Sequence, residues 1–479
     1  MKFSFFKSIL AVILNKNSEE AFDQVLTLEL YQKLLIASLV RPFSIRGEGI
    51  WKEVAQLLPK VEAALVAQMA VYFRDHFPWP WVIHRLLVKW SGLHQGDGWV
   101  KRTTEQVLRQ PEDIVHLLAC YQTENEGLQP LSKQLQKGIA AAFKNLTLEQ
   151  LVGFHRHRSV SLRDALLLTH PKAQNPQQER IFRAIHEGQL PLPPRWKREW
   201  RTTRRTPGTA AQHWSRWIRH EQLPYADLLR HLRAIIKAGP SDETMESIQQ
   251  QLTDARAIHA AHRLPFFFFS ERKKIEKLGS QSEALRISEW LTLAQARSAT
   301  NLRGFSDGDR LLVAVDRSPH LSRPVGKKNP LRYADIGRLL VEGLQDRVAQ
   351  LQTRTLGGGT EGTTIDGTAA PNPATLIDTL MAQKQVFDKV LIFTSGLEWG
   401  DARAQLALAD SWRKYRQRVA PTARLYRFNL LDYDQYPVRI LADGRVMIAG
   451  WSERIFRVLA ELDTLREAVE KIKAIKINS

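Results

Sequence analysis

From about residue 20 to residue 300, apolar positions recur at helical spacing, interrupted by short breakers. The stretches L-Y-Q-K-L-L-I-A-S-L-V (30–40), I-W-K-E-V-A-Q-L-L (50–58) and V-E-A-A-L-V-A-Q-M-A-V-Y-F-R-D (61–75) each predict a helix with one apolar face. So do W-V-I-H-R-L-L-V-K-W (81–90) and E-D-I-V-H-L-L-A-C-Y (112–121). Pro59, Pro78 and Pro80 fall at the breaks, where a missing N–H stops a helix. Helix pairs of this length suggest stacked α-hairpins of the HEAT type, although no strict sequence repeat is visible. Amphipathic helices follow at 223–239, ended by Gly239-Pro240, and at 248–265. The run F-F-F-F (266–269) is expected to pack between helix layers rather than to form a ligand site.

After about residue 305 the period changes. R-L-L-V-A-V-D-R-S-P-H-L-S (310–322) places five apolar residues, Leu311 to Val315, before Asp316-x-Ser318. Such a run suits a strand buried on both faces of a parallel sheet. Polar residues at the carboxyl end of such a strand stand where open α/β sheets hold ligands. Helices are expected at 331–350, 373–386, 401–418 and 451–473, with strands at 389–395 and 423–430 and hairpin-like material up to Gly450. The Gly/Thr-rich stretch 356–371 has no following Gly-Lys-Ser/Thr and reads as a loop. The expected fold is multidomain, α plus α/β. Residues 1–305 form a HEAT-like helical repeat domain, and residues 306–479 a doubly wound, Rossmann-type α/β domain.

Length agrees, since 479 residues are too many for one hydrophobic core. A single cysteine excludes an internal disulfide and fits a reducing compartment. No window approaches the length of a membrane helix. The N-terminal M-K-F-S-F-F-K-S-I-L-A-V-I-L-N-K lacks a small-residue cleavage site, so a buried or surface-lying segment is expected over a signal peptide.

Charge changes the picture more than length does. The net charge of +19 divides as +2 over residues 1–150, +11 over 151–300 and +6 over 301–479. An excess of that size in the middle third implies a polyanionic partner, nucleic acid or an anionic membrane surface. Leading into it is L-S-K-Q-L-Q-K-G-I-A-A-A-F-K-N-L-T-L-E-Q-L-V-G-F-H-R-H-R-S-V-S-L-R-D-A-L-L-L-T-H-P-K (131–172). A helix carrying Lys133, Lys137 and Lys144 leads into His155-Arg156-His157-Arg158, and Ser161 is placed to cap the next helix, which carries Arg163 and ends near His170. Several phosphate donors meet there, although a solvated basic face would share the pattern. The stretch 191–220 interleaves Trp196, Trp200, Trp214 and Trp217 with arginines, a composition suited to single-stranded RNA. Trp214 and Trp217, three apart, are expected in a helix core; Trp196, with Arg195 and Arg201, sits in a Pro- and charge-rich loop and is the better RNA-binding candidate.

The block K-Q-L-Q-K-G-I-A-A-A-F with H-R-S-V-S-L-R-D-A-L-L-L-T-H-P-K resembles the core signature of the TROVE domain. L-P-Y-A-D-L-L-R-H-L-R-A-I-I-K-A-G and R-L-P-F-F-F-F resemble later parts of it, while V-A-V-D-R-S, N-P-A-T-L and F-T-S-G resemble the von Willebrand factor A (vWA) domain that accompanies it. From about 20 to 470 the chain is similar to bacterial relatives of the Ro autoantigen. The resemblance implies a ring of HEAT-like hairpins closed by a vWA-like domain. It further implies binding of the 3′ single-stranded ends of misfolded noncoding RNAs in the ring's hole. Y RNA would bind outside it, in RNA quality control or processing, sometimes beside an exoribonuclease. Carried over by position, the RNA-binding candidates are Lys133, Lys137, Arg156, Arg158, Arg163 and His170.

The vWA metal site is where the sequence departs from the family. Asp316 and Ser318 stand, but His320 replaces the second serine, Ala369-Ala370-Pro371 replaces G-G-T, and Thr394-Ser395 supplies no second carboxylate. Arg317 opposes a cation through like charge. A degenerate site remnant without Mg²⁺ or any other cofactor is expected. No H-E-x-x-H, G-x-S-x-G or carboxylate cluster for two-metal chemistry occurs, so no enzyme is expected. The reading is thus a monomeric, cytoplasmic RNA-binding protein with a noncoding RNA, or a Y-like RNA, as its partner and no membrane role. The rival reading is a protein-interaction scaffold built from helical repeats and a vWA module, with no RNA role.

Overall fold

Capping residues and prolines set the helix ends throughout the computed structural model, which describes residues 18–40, 45–94, 96–125, 130–151, 160–189, 210–220, 223–279, 281–357, 369–370, 372–397, 399, 401–431 and 437–477. Those residues fall into two compact units, one of 18–189 with 464–477 and the other of 210–463.

The first unit is helical: α1 (Ser18–Ala37), α2 (Ile45–Leu57), α3 (Ala63–His76), α4 (Pro80–Leu93), α5 (Trp99–Val107), α6 (Pro111–Glu124), α7 (Lys133–Asn145), α8 (Leu148–Leu151), α9 (Leu162–Thr169) and α10 (Pro176–Glu187). Pro80, Pro111 and Pro176 open their helices at the first turn, where the absent N–H costs nothing. Helices two apart pack together, α3 on α5, α4 on α6 and α5 on α7, as stacked hairpins do. Tyr31, Trp51, Phe73, Trp90 and Phe143 are fully buried between them. The Arg85 guanidinium, also buried, is paired with Glu48 at 2.7 Å and Glu124 at 2.5 Å and lies over the Trp51 ring.

The C-terminal helix Leu465–Lys473 belongs to this unit. It packs on α1 and α3, and the Gln68 amide of α3 donates to the Lys473 and Ile475 carbonyls at 3.0 and 2.9 Å, which closes the helix end. The single helix expected at 451–473 is therefore two, broken at Thr464, and the second half belongs to the helical unit.

The second unit opens with α11 (Ala210–Arg219), α12 (Tyr225–Lys237), α13 (Asp242–Thr253), α14 (Ala255–Ala260), α15 (Pro265–Glu276) and α16 (Ser282–Arg297). Trp214 and Trp217 are buried edge to face in its core, as their helical spacing predicts. The α/β part follows: β1 (Arg310–Asp316), β2 (Pro324–Gly326), β3 (Asn329–Arg332), α17 (Tyr333–Leu344), β4 (Gln350–Leu356), β5 (Ala369–Ala370), α18 (Pro373–Ala382), β6 (Lys389–Thr394), α19 (Ala402–Arg418), β7 (Arg424–Asn429), β8 (Val438–Ile440), β9 (Arg445–Ala449) and α20 (Ile455–Asp463).

Among the described residues the main sheet has seven strands in the order β5-β4-β1-β6-β7-β9-β8, all parallel except β8 against β9. Alternate residues of its strands face opposite layers. Leu312, Ala314, Val390, Ile392 and Leu425 meet Ile377 of α18 with Leu408 and Trp412 of α19. On the other face, a Cβ at Gly337 of α17 would come within 2.5 Å of the Val315 side chain, so α17 lies directly on β1. There Phe393 stacks on Phe428, and Phe266 of the F-F-F-F run stacks on Phe456 of α20 at 5.8 Å. Phe266, Phe268 and Phe269 are buried, so this run does pack between layers. Helices on both faces make the sheet doubly wound.

The sequence missed β4. Its residues Q-L-Q-T-R-T-L give no apolar run, and only Leu356 is buried. It took those positions partly as the end of a longer helix, which stops instead at Leu344.

Candidate nucleic-acid interface

Helix α7 is a lysine-bearing helix without a single carboxylate. Ser132 caps it by accepting the Leu135 N–H at 3.3 Å. Leu135, Ile139, Ala142 and Phe143 are buried, which turns the opposite side to solvent. Lys133 and Lys137 are exposed on that side one turn apart, with Ala140 and the half-buried Lys144 continuing the stripe. Among the described residues neither Lys133 nor Lys137 has an ion pair. Lys133 Nζ makes only a 3.4 Å contact to Gln136. Unpaired ammonium groups in a row can neutralise successive phosphates and release the cations condensed on a nucleic-acid strand.

The neighbouring helix α9 is fixed by a reciprocal cap. Ser161 Oγ accepts the Asp164 N–H at 3.1 Å, and Asp164 accepts the Ser161 N–H at 2.8 Å. Asp164 is thereby committed to the cap. Arg163, Leu167 and His170 follow at four- and three-residue steps along the exposed side. His170 ends the helix at φ 45°, donating its N–H to the Leu166 carbonyl at 2.9 Å. The last turn of α9 is tied to α7 by the Gln136 amide, which donates to the Leu168 carbonyl at 2.8 Å. Gln136 sits between Lys133 and Lys137, so the structure brings this lysine pair and the His170 end of α9 together.

The sequence reading missed a further contributor, Lys101 of α5. A Cβ at Gly138 would lie 2.6 Å from Thr104 Cβ and 2.8 Å from the Lys101 carbonyl, so α5 and α7 touch backbone to side chain. The Lys101 N–H also donates to Gln134 of α7 at 3.3 Å. Lys101 is exposed, and the adjacent Arg102 lies over the Trp99 ring at 4.3 Å. The amphipathic stretch W-V-K-R-T-T-E-Q-V (99–107) carried the available signal. Of the other sequence candidates, Arg156, Arg158, Arg195, Trp196 and Arg201 lie outside the described residues.

The sheet's switch point is a second candidate site. The chain runs outward from β1 to β4 and returns to the other side of β1 as β6, so the carboxyl ends of β1 and β6 flank the crevice where such sheets hold ligands. Asp316 ends β1, and Thr394 ends β6. The Asp316 carboxylate, 4% exposed, accepts the Ser318 N–H on Oδ1 at 2.7 Å and the Ser395 N–H on Oδ2 at 3.0 Å. Ser318 Oγ is buried, with no hydrogen bond among the described residues. Thr394 Oγ1 contacts Asn429 at 3.2 Å, and Ser395 Oγ accepts from the Leu397 N–H at 3.4 Å. Among the described residues no group of three or more His, Cys, Asp or Glu could hold a metal. Among the described residues, one carboxylate whose oxygens each accept a backbone N–H, plus one hydroxyl, is fewer oxygen ligands than the octahedral shell of Mg²⁺ takes. Arg317 and His320 stand exposed beside it; Pro371 lies outside the described residues.

A cavity of about 320 Å³ lies at the starts of α18 and α19, against the buried Arg427. The side chains of Asn372 and Asp401 cap both helices from within, accepting the Thr375 and Ala404 N–H groups at 3.0 and 2.7 Å. The helix starts therefore do not offer those donors to a ligand.

A stacked-helix unit and a doubly wound vWA-like sheet, with an acid-free lysine helix in the former, define a class in which helical repeats accompany a vWA-like module. Residues 93–303 match the family model described as the TROVE domain. The chain carries a TROVE domain. Its fold is similar to that in the crystal structure of the Deinococcus radiodurans RO (RSR) protein, with a TM-score of 0.67 and 15% identity over 91% of this chain and 100% of that one. No curated protein matches the sequence. The TROVE domain and the Ro-like α plus α/β fold expected from the sequence are both present. Among the described residues no helix is long and apolar enough to cross a membrane.

Proposed function

We propose that the protein binds noncoding RNA in the manner of Ro proteins, holding single-stranded 3′ ends of misfolded transcripts, with a Y-like RNA as a second partner, in RNA quality control. The observation that carries this reading is the exposed, acid-free lysine stripe of α7, joined through Gln136 to the His170 end of α9, inside the TROVE match. Ammonium groups spaced one turn apart suit successive phosphates of a single strand, and they recognise no particular base.

Our reading is binding without catalysis. The chain's one thiol, Cys120, is buried, and burial together with the Glu124 carboxylate pushes it up to about 12, so it stays a protonated thiol at neutral pH. An exoribonuclease acting on the bound RNA would then be a separate protein.

The test is to crosslink RNA to the protein in its own cells and sequence it. Enrichment of noncoding transcripts with unpaired 3′ tails supports the proposal. Protein that purifies without nucleic acid and yields no crosslinked RNA favours the scaffold reading instead.

A further inference from the structure

The stretch from Arg317 to Tyr333 contains no acidic residue, and the next carboxylate along the chain is Asp335. It carries Arg317, His320, Arg323, Lys327, Lys328 and Arg332, all exposed. Among the described residues none of the six has an ion pair, while Asp335 is engaged with the Arg332 N–H at 2.9 Å and Arg338 at 3.2 Å. The stretch starts at the Asp316 end of β1, turns through residues 319–322 and rises into the β2–β3 hairpin, with Lys327 and Lys328 at its tip.

This is a held surface. Pro324 pairs with Arg332 across the hairpin, and the Tyr333 N–H donates to the Arg323 carbonyl at 3.1 Å. The Asn329 side chain accepts from Ser270 of α15 at 3.0 Å and from the Leu331 N–H at 3.1 Å. Its larger apolar residues, Leu321, Leu331 and Tyr333, are all buried. What is exposed is the cationic side chains with Pro319, Ser322, Pro324 and Gly326; Val325 is half-buried, and no exposed aromatic or large aliphatic residue offers the anchor that dominates protein–protein contacts.

We propose that this loop and hairpin form a second, metal-independent RNA-phosphate-binding surface, beside the carboxyl end of the sheet where a vWA fold would hold a cation. The Asp316 carboxylate accepts the Ser318 N–H locally and the Ser395 N–H across to β6, and positive charge at this end of the sheet is supplied by the exposed basic side chains. The choice of RNA as the anion rests on the function proposed above. The surface itself rests on separate residues, in the other compact unit.

The experiment measures binding of fluorescein-labelled oligouridylate to the full chain by anisotropy, across a salt series, with and without EDTA. The R323E/K327E/K328E variant changes only exposed side chains, and its thermal unfolding is recorded beside the wild type as a folding control. The expected result is a roughly tenfold or greater loss of affinity and a shallower salt dependence, with EDTA changing nothing. Unchanged oligouridylate affinity in this variant overturns the proposal, as does wild-type binding that EDTA abolishes. Loss of polyglutamate binding with RNA binding intact overturns it in favour of an acidic peptide. The K133E/K137E variant separates the two readings. If it alone loses RNA, the function stands and this surface falls; if the wild type binds no RNA, both fall.

Discussion

The carboxylate of Asp316 and the backbone N–H of Ser395, 79 residues apart in sequence, are joined by a 3.0 Å hydrogen bond that ties the end of β1 to the end of β6. With the 2.7 Å bond from Ser318, this gives a buried carboxylate a structural role at the position where a vWA fold would place a metal ligand. Asp316→Ala would leave two buried N–H groups without an acceptor, each worth about 1–3 kcal/mol. Urea unfolding is expected to show a loss of about 2–6 kcal/mol, with oligouridylate affinity at moderate salt unchanged.

The same geometry makes a prediction about metal. A cation bound only by the folded protein raises its melting temperature by mass action. Millimolar Mg²⁺ or EDTA is expected to leave the unfolding temperature where it is, as read by differential scanning fluorimetry. A rise with Mg²⁺ that Asp316→Asn removes would show that the site still takes an ion.

Gly138 is a packing prediction. With Thr104 Cβ and the Lys101 carbonyl inside 3 Å of an added Cβ, α5 or α7 has to move. Gly138→Ala gains helix propensity but is expected to lose about 1–3 kcal/mol through overpacking. Because Lys101 and Lys137 are neighbours of that contact, RNA affinity is expected to fall with it.

Glu453 gives a pH prediction. Burial pushes its carboxyl up to about 7, against the pull of the nearby Arg263 guanidinium. A raised carboxyl keeps its proton longer in the folded chain than in the unfolded one. Its stabilising contribution is therefore full below its ordinary value of 4.5 and is lost as pH rises through about 7. Glu453→Gln is expected to match the wild type near about pH 4 and to exceed it near about pH 8. The gain should be on the order of 1 kcal/mol, discounted because the side chain is partly exposed. Urea titrations at the two pH values check the sign.

What could be read from the sequence follows from which signals are local. The Leu311–Val315 run announced β1, and the spacing of Trp214 and Trp217 announced a helix core, because burial on both faces or one stripe leaves a periodic mark. Strand β4 left none, since its seven residues are mostly polar and its place beside β1 comes from pairing with distant chain. The helix expected at 451–473 had one continuous period, and nothing in that period told which half packs on the sheet and which on α1 and α3. At the candidate interface, Lys133 and Lys137 could be read as one face of one helix. Lys101 could be read as a basic position of an amphipathic stretch, but its place beside α7 comes from the close approach of Gly138 to α5, a tertiary contact. The hydrogen bonds of Asp316 were likewise invisible: the sequence showed departures from the vWA pattern, but not that each oxygen of this carboxylate accepts a backbone N–H.

The measurement that bears most directly on the account is oligouridylate binding to the K133E/K137E variant across a salt series. Each phosphate contact on a single strand contributes about 0.7 to the slope of log affinity against log salt. The account predicts an affinity loss of roughly ten- to a hundredfold and a slope shallower by about 1.4, with unfolding unchanged because both lysines are exposed. Wild-type affinity and slope in this variant would contradict it.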